Sequence, residues 1–403
     1  MINYNQAQKL VLEYTRLTKK ETANIKASLG FFLAQDVITN SDLPRFTSSA
    51  VDGYGVKISD LKNATTNNPA ILKLVGEVKA GDYLKMKLKR TQCIRILTGA
   101  PIPSGVEAVV MKEFTKQIGN VISFYISANS GENFRYKGEE FKKGSKILSR
   151  STQISPAIIG ILASLGIKNI RVYKKPRVAV LVTGNELVVS GKKLKYGQIY
   201  DSNFFTLSSV LEQLNIDIIN LGIAKDDKDE LLSKIELGIS ASDILLVSGG
   251  ISVGEYDYVQ EIFDILEVKK IFWRIAIKPG KPTYFGIKGK KLIFGLPGNP
   301  VASLLIFNQL VKPAIRKMMG EKKHQPIIMY AKLDKELRKR PGRLELVRGI
   351  LKASSNGGLI VTPTKGQGSH MLGGVVSANC LIHFPLEKNI LKKGANVRVE
   401  LTK

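Results

Sequence analysis

Apolar residues recur at two different spacings along this chain, and the switches between them divide it. Over residues 4–35 they fall at helical intervals, at Ala7, Leu10, Val11 and Tyr14 and again at Ile25, Leu29, Phe32 and Leu33, which predicts helix and then a turn into a strand around 34–38. From about 45 to 145 the pattern becomes one of short β-like runs (71–75, 93–97, 108–111 and 121–126) separated by Gly, Pro and Asn, the mark of a small β-rich domain. A helix is predicted over 155–165, with Ser155 as N-cap, Pro156 at its first position and Gly166 at its stop. Strands and helices then alternate: strands at 178–182, 217–221, 244–247, 271–277 and 292–294, and helices at 202–214, 228–238, 258–266 and 301–318. Such alternation predicts a mainly parallel sheet covered on both faces. Beyond His324-Gln-Pro326 the β runs return, at 327–332, 344–350, 359–362, 380–383 and 397–401, predicting a small barrel or sandwich.

Three of the apolar runs end in glycine-rich turns: Leu-Val-Thr-Gly-Asn-Glu at 181–186, Leu-Val-Ser-Gly-Gly-Ile-Ser at 246–252 and Gly-Leu-Pro-Gly-Asn-Pro at 295–300. In open α/β sheets ligands collect beyond the strand ends, so these turns should converge on one cleft. Bare backbone N–H groups there suit a phosphate or another oxyanion. Candidate binding residues are therefore Gly184, Ser248, Gly249, Gly250, Ser252, Pro297, Gly298, Asn299 and Pro300. A single turn of this kind would be an ordinary strand end; the repetition points to a site.

Carboxylates accompany the turns. Glu186 follows the first, Asp257 the second, and Asp226-Asp227 come soon after the strand ending at Leu221. Mg²⁺ is usually held by one or two carboxylates together with phosphate and water, so Glu186, Asp226 or Asp227, and Asp257 are candidate metal ligands; an Asp at 226 or 227 equally suits the cap of the next helix. Ile277-Lys-Pro-Gly-Lys-Pro282 sets Lys278 and Lys281 around a rigid turn just ahead of the third glycine turn, as compact positive charges for an oxyanion. In the β-rich segment, Ser49-Ala-Val-Asp-Gly-Tyr places Asp52, and Arg95-Ile-Leu-Thr-Gly-Ala-Pro places Thr98, in tight turns.

Composition narrows the partners. The chain of 403 residues has 61 Lys and Arg against 34 Asp and Glu, a net charge of +27 that favours anions. The basic residues are scattered as pairs such as Lys19-Lys20 and Lys290-Lys291, with no helix-turn-helix, zinc finger or aromatic-rich basic stretch for nucleic-acid readout. Cys93 and Cys380 are too few for a disulfide framework, and Met-Ile-Asn-Tyr-Asn-Gln lacks the apolar core of a signal peptide, so a cytoplasmic protein without a membrane partner is expected. His324, His370 and His383 all fall in the last quarter, which speaks against a histidine triad or zinc centre in the central cleft.

The motifs taken together resemble one family, the molybdopterin molybdenumtransferases of the MoeA type, which also form the E domain of gephyrin. The resemblance runs through Ser49-Ala-Val-Asp-Gly-Tyr, Arg95-Ile-Leu-Thr-Gly-Ala-Pro-Ile-Pro, Arg135-Tyr-Lys-Gly-Glu-Glu140, Thr183-Gly-Asn-Glu-Leu, Ser248-Gly-Gly-Ile-Ser-Val-Gly-Glu-Tyr-Asp, Lys278-Pro-Gly-Lys-Pro and Gly295-Leu-Pro-Gly-Asn-Pro-Val-Ala-Ser303. It implies a multidomain α/β protein: a linking domain from 1–45 plus 146–174, a β-rich domain over 46–145, an α/β molybdopterin-binding domain over 175–323 and a C-terminal β barrel over 324–403. It also implies a homodimer whose active site lies between the α/β domain of one subunit and the β-rich domain of the other. The implied reaction takes adenylylated molybdopterin and molybdate with Mg²⁺, inserts the metal into the dithiolene and releases AMP; cooperation with the adenylyltransferase that makes this substrate is a corollary. Alternatives on the same fold are the adenylyltransferase itself or a non-catalytic scaffold. Carried onto this chain, the catalytic positions are Asp52, Thr98, Glu186, Asp226 or Asp227 with Asp227 preferred, Lys278 and Lys281, with Asp257 on the metal and Ser369 on the substrate. Glu140, Asn185 and Gly55 depart from the family's commoner Asp, Asp or Ser, and Ala.

Overall fold

The computed structural model describes residues 1–251, 258–322, 326–354 and 357–402, in two compact units. One comprises Asp36–Arg150 with Ala157–Lys168; the other comprises Met1–Gln35, Ser151–Pro156 and Asn169–Lys403.

The smaller unit is built on a six-stranded sheet in the order Ala108–Met111, Gly53–Val56, Gln92–Ile96, Ala70–Val78, Val121–Phe124 and Thr115–Ile118. Alternate residues of its strands enter two cores. Cys93, Val110, Ile122 and Phe124 pack with Tyr54 and Leu61 on one face, while Ile94, Ile96 and Val109 pack with Val78 and Leu88 on the other, as the two-residue period of a strand requires. A Cβ at Gly53 would stand 2.1 Å from the Val110 carbonyl oxygen, so only glycine lets these two strands pair. At Gly55 a Cβ would meet Ile96 Cδ1 at 2.6 Å and Val106 Cγ1 at 2.9 Å. Ile96 and Val106 fill the space there.

In the larger unit the helix Tyr4–Tyr14 starts on Asn3, whose side chain accepts the Gln6 N–H. The second apolar series does not continue as helix. Lys20–Asn24 pairs antiparallel with Asn169–Tyr173, and only the short 3-10 turn Ile25–Ala27 follows. Phe32 and Leu33 instead join irregular bridges to Gln153 and Val172, so tertiary pairing overrides the helical spacing.

The main sheet runs in the order Asp217–Ala224, Arg177–Thr183, Ile244–Ser248, Lys291–Leu296, Tyr284–Lys288 and Lys269–Trp273. Its first four strands are parallel; Tyr284–Lys288 is antiparallel to both of its neighbours, so Lys269–Trp273 runs in the direction of the first four. Val178, Val180, Leu246 and Phe294 pack on one face with Leu207 and Leu211 of the helix Asn203–Gln213 and with Val301 and Leu305. Ala179, Leu181, Leu245 and Val247 pack on the other with Leu231 and Ile235 of Lys228–Ala241 and with Val259 and Phe263 of Val259–Ile265. The strand expected over 271–277 stops at Trp273, because Arg274 takes a left-handed backbone (φ 68°); Ile277–Lys278 pairs instead with Leu344 and Glu345 of the last domain. Tyr284–Lys288, which the spacing did not indicate, becomes an antiparallel strand beside Lys291–Leu296.

The helix after the third turn runs from Pro300 to Met318 through a π-helical segment, Phe307–Val311. Pro313 has no N–H for the Gln309 carbonyl, which accepts from Gln8 Nε2 instead. Five strands, Ile328–Leu333, Leu344–Ala353, Leu359–Pro363, Cys380–Phe384 and Asn396–Leu401, close into a barrel because Leu344–Ala353 pairs on both sides. A buried polar chain runs from the N-terminal helix to this barrel: Tyr4 OH bonds Gln309 Oε1, Gln309 Nε2 donates to Glu400 Oε1 (2.7 Å), and His383 Nε2 meets Glu400 Oε2 (3.1 Å).

Phe285 is fully buried between Phe272 and Phe294, with ring centroids 5.5 and 4.9 Å away. Phe285→Ala is expected to cost about 3–5 kcal/mol. Trp273, the only tryptophan, lies in the same sheet, so its fluorescence during urea unfolding should show the lowered midpoint; an unchanged midpoint contradicts this packing.

Candidate functional site

Because Arg177–Thr183, Ile244–Ser248 and Lys291–Leu296 are adjacent and parallel, their C-terminal ends lie side by side. The three glycine turns leave from those ends and line one cleft of about 680 Å³, through Gly184, Glu186, Gly249, Gly250, Pro297, Gly298, Asn299 and Pro300. Ser248 is fully buried at the base of the second turn.

Close backbone approach explains the glycines. Gly249 has φ 100°, and a Cβ there would stand 2.5 Å from the Thr183 carbonyl oxygen. The sequence leads one to expect free N–H groups on all three turns, and the structure divides them. Gly184 donates to the Ala224 carbonyl and Gly249 to that of Leu296, each at 3.1 Å, so these two amides tie neighbouring strand ends together. Among the described residues the amides of Gly250, Gly298 and Asn299 have no acceptor, and these are the donors the cleft offers to an anion.

The adjacent aspartates have different tasks. Asp227 Oδ1 accepts the Glu230 N–H at 2.9 Å and caps the helix Lys228–Ala241. Asp226 lines the cleft, and its carboxylate accepts the Asn185 N–H (3.3 Å) while its own N–H donates to Asn185 Oδ1 (3.2 Å). This reciprocal pair fixes the Asp226 loop to the first turn, and Glu186 and Asp226 thus share the cleft. Ser252 and Asp257 lie outside the described residues. Among the described residues no group of three or more His, Cys, Asp or Glu side chains is assembled for a metal.

Lys278 is exposed and ion-paired with Glu345 at 3.0 Å, and Lys281 is exposed on the same turn, whose Pro282 lines the cleft. The Ser369 carbonyl accepts the Val301 N–H at 3.1 Å, at the start of the helix that follows the third turn. In the smaller unit Asp52 Oδ1 accepts the Thr98 N–H (2.8 Å) and hydroxyl (2.7 Å). These two bonds, backbone first, hold the Asp52 carboxyl below the ordinary carboxylate range, with smaller pulls from Lys112 and Arg95. Glu140 is exposed in that unit, its N–H donating to the Leu43 carbonyl.

Several cleft residues escape sequence reasoning: Thr183, Tyr200, Asp201, Asn203 and His370. Asp201 had a readable signal, an acid just ahead of a helix, and its Oδ1 accepts the N–H groups of Asn203 (2.8 Å) and Phe204 (3.1 Å). His370 had none: it reaches the rim of the cleft from a distant turn of the chain, despite its place in the last quarter.

Family comparisons cover nearly the whole chain. Residues 2–166 match the MoeA N-terminal region (domain I and II), 179–317 a probable molybdopterin binding domain, and 330–402 the MoeA C-terminal region (domain IV). A curated relative from Haemophilus influenzae, named molybdopterin molybdenumtransferase, is 37% identical over 99% of this chain and 98% of its own length. A relative of the same name from Nostoc is 35% identical over 94% of this chain and 88% of its own. Among solved structures, a molybdopterin biosynthesis MoeA protein from Pyrococcus horikoshii superposes with a TM-score of 0.84 at 30% identity, covering 100% of this chain and 99% of that one. With three strand-end turns converging on one cleft and these matches spanning both units, the chain belongs to the MoeA family of molybdopterin molybdenumtransferases.

Proposed function

We propose that this chain inserts molybdenum from molybdate into adenylylated molybdopterin in a Mg²⁺-dependent reaction that releases AMP. The observation that carries this reading is the convergence of three glycine turns, with unpaired amides at Gly250, Gly298 and Asn299, on a cleft that also holds Glu186 and Asp226. Both substrates are anions, and amides fixed in place stabilise charge without reorganising. Lys281 adds compact positive charge on the turn whose Pro282 lines the cleft, and Lys278, ion-paired with Glu345, stands on the same turn.

A pair of cleft carboxylates fits Mg²⁺, which takes one or two of them and completes its shell with phosphate oxygens and water. Glu186 and Asp226 would hold it, with Asp257 from the second turn as a further ligand; Asp227 is replaced in that role by Asp226 because its carboxylate caps a helix. When bound, the ion would offset the negative charge that develops as the pyrophosphate linkage breaks. No protein nucleophile is needed, since the pterin's own sulfurs are soft ligands for molybdenum. Asp52, kept ionised by Thr98, is a fixed acceptor for a water or a substrate N–H or O–H.

A homodimer, in which the β-rich segment of one protomer meets the α/β cleft of its partner, belongs to this reading. So do a cytoplasmic location, supply of substrate by an adenylyltransferase, and the four-part division at residues 45, 145, 174 and 323. No described helix is long and apolar enough to cross a membrane.

Incubation with adenylylated molybdopterin, Mg²⁺ and molybdate should release AMP; consumption of ATP with build-up of adenylylated pterin would reverse the assignment. Asp52→Ala and Glu186→Gln are each expected to lower that release roughly a hundredfold or more with folding intact. Thr98→Val removes the hydroxyl bond to Asp52, so the Asp52 titration followed by NMR should move up toward the ordinary carboxylate value; a titration unmoved by the substitution contradicts the assigned cause. Gly249→Ala combines the Thr183 clash with about 1–2 kcal/mol of left-handed strain, and both the Trp273 unfolding midpoint and AMP release should fall.

A further inference from the structure

One side chain holds two of the three turns in register. Asn203 opens the helix Asn203–Gln213 and is 7% exposed. Its Nδ2 donates to Ser248 Oγ at 2.9 Å, at the base of the second turn, and to the Gly298 carbonyl at 2.7 Å, in the third. A carbonyl only accepts, so the amide nitrogen must face Gly298, and Oδ1 points elsewhere, buried and without a partner. The Ser248 hydroxyl in turn donates to the Pro297 carbonyl at 3.4 Å. The backbone of Asn203 is fixed in turn by Asp201.

The Gly298 carbonyl and the Asn299 N–H belong to one peptide plane, and in a trans peptide they point in opposite directions. A bond that draws the carbonyl toward Asn203 therefore aims the Asn299 N–H away from it, on a residue that lines the cleft and whose amide has no acceptor among the described residues. The Asn299 side chain makes no capping bond that would set this plane independently.

We propose that Asn203 is a positioning residue: by holding the Gly298–Asn299 peptide plane, it presents the Asn299 amide to the pyrophosphate oxygens of the nucleotide-bearing substrate. This rests on the reading of the cleft as the site for adenylylated molybdopterin. Asn203 itself touches no reacting atom, so its removal acts on ground-state binding, raising KM and leaving kcat near that of the parent protein.

The test uses Asn203→Leu, which keeps the volume without the donors, and Asn203→Ala, which loses both. Titration with inorganic pyrophosphate by calorimetry and steady-state AMP release are measured on each, with Trp273 fluorescence unfolding as the check on folding. Both variants should weaken pyrophosphate binding and raise the substrate KM by about tenfold, the worth of one hydrogen bond to an anion, with kcat little changed. A merely packing role gives a different order, with Leu close to the parent and only Ala impaired. Pyrophosphate affinity at the parent level in Asn203→Leu, or in Asn203→Ala should the leucine variant not fold, overturns the proposal. Failure of the parent protein itself to bind pyrophosphate overturns the underlying reading of the cleft, and the proposal with it.

Discussion

Everything in the larger unit depends on the parallel pairing of Arg177–Thr183 with Ile244–Ser248 and of Ile244–Ser248 with Lys291–Leu296. Parallel strands cannot be joined by a hairpin, so each must be followed by a segment that crosses a face of the sheet. That constraint sends all three chain reversals to the same edge, where their turns meet. The strands are buried on both faces, and even their last residues, Thr183, Ser248 and Leu296, are at most 5% exposed. A packed core thus fixes where the turns begin, and with them the exposed residues Glu186, Gly298 and Asn299.

Polar bonds at the strand ends refine what packing sets roughly. The Gly184 and Gly249 amides join neighbouring strands, and the Asn185–Asp226 pair joins the first turn to the loop after the edge strand. What remains for a ligand is a small set of amides, at Gly250, Gly298 and Asn299, in a cleft that Glu186 and Asp226 also line. Donors and acids side by side suit an anion that travels with a hard cation better than either alone.

Sequence and structure part company where a distant contact outweighs a local rule. The apolar residues from Ile25 to Leu33 satisfy a helical period, yet bridges to 153 and 172 draw them into irregular structure. Arg274 ends a strand that spacing alone would carry to Ile277, and its left-handed backbone has no signal in the residue type. Asp226 and Asp227 are chemically identical neighbours. Either can cap a helix by type; the register of Lys228–Ala241 gives that task to Asp227 and leaves its neighbour facing the cleft.

The sequence by itself determined the α/β alternation, the β-rich segments on either side, the three glycine turns and the family motifs, because each is written in local spacing and residue type. It also marked the glycines and acids that line the cleft, since such residues at strand ends are unusual in the same local way. Only the tertiary structure decided which amides stay free, which of two aspartates enters the cleft, and that Asn203 and His370 belong there. The place of Asn203 turns on hydrogen bonds to Ser248 and Gly298, 45 and 95 positions away, and no local pattern encodes a bond of that reach.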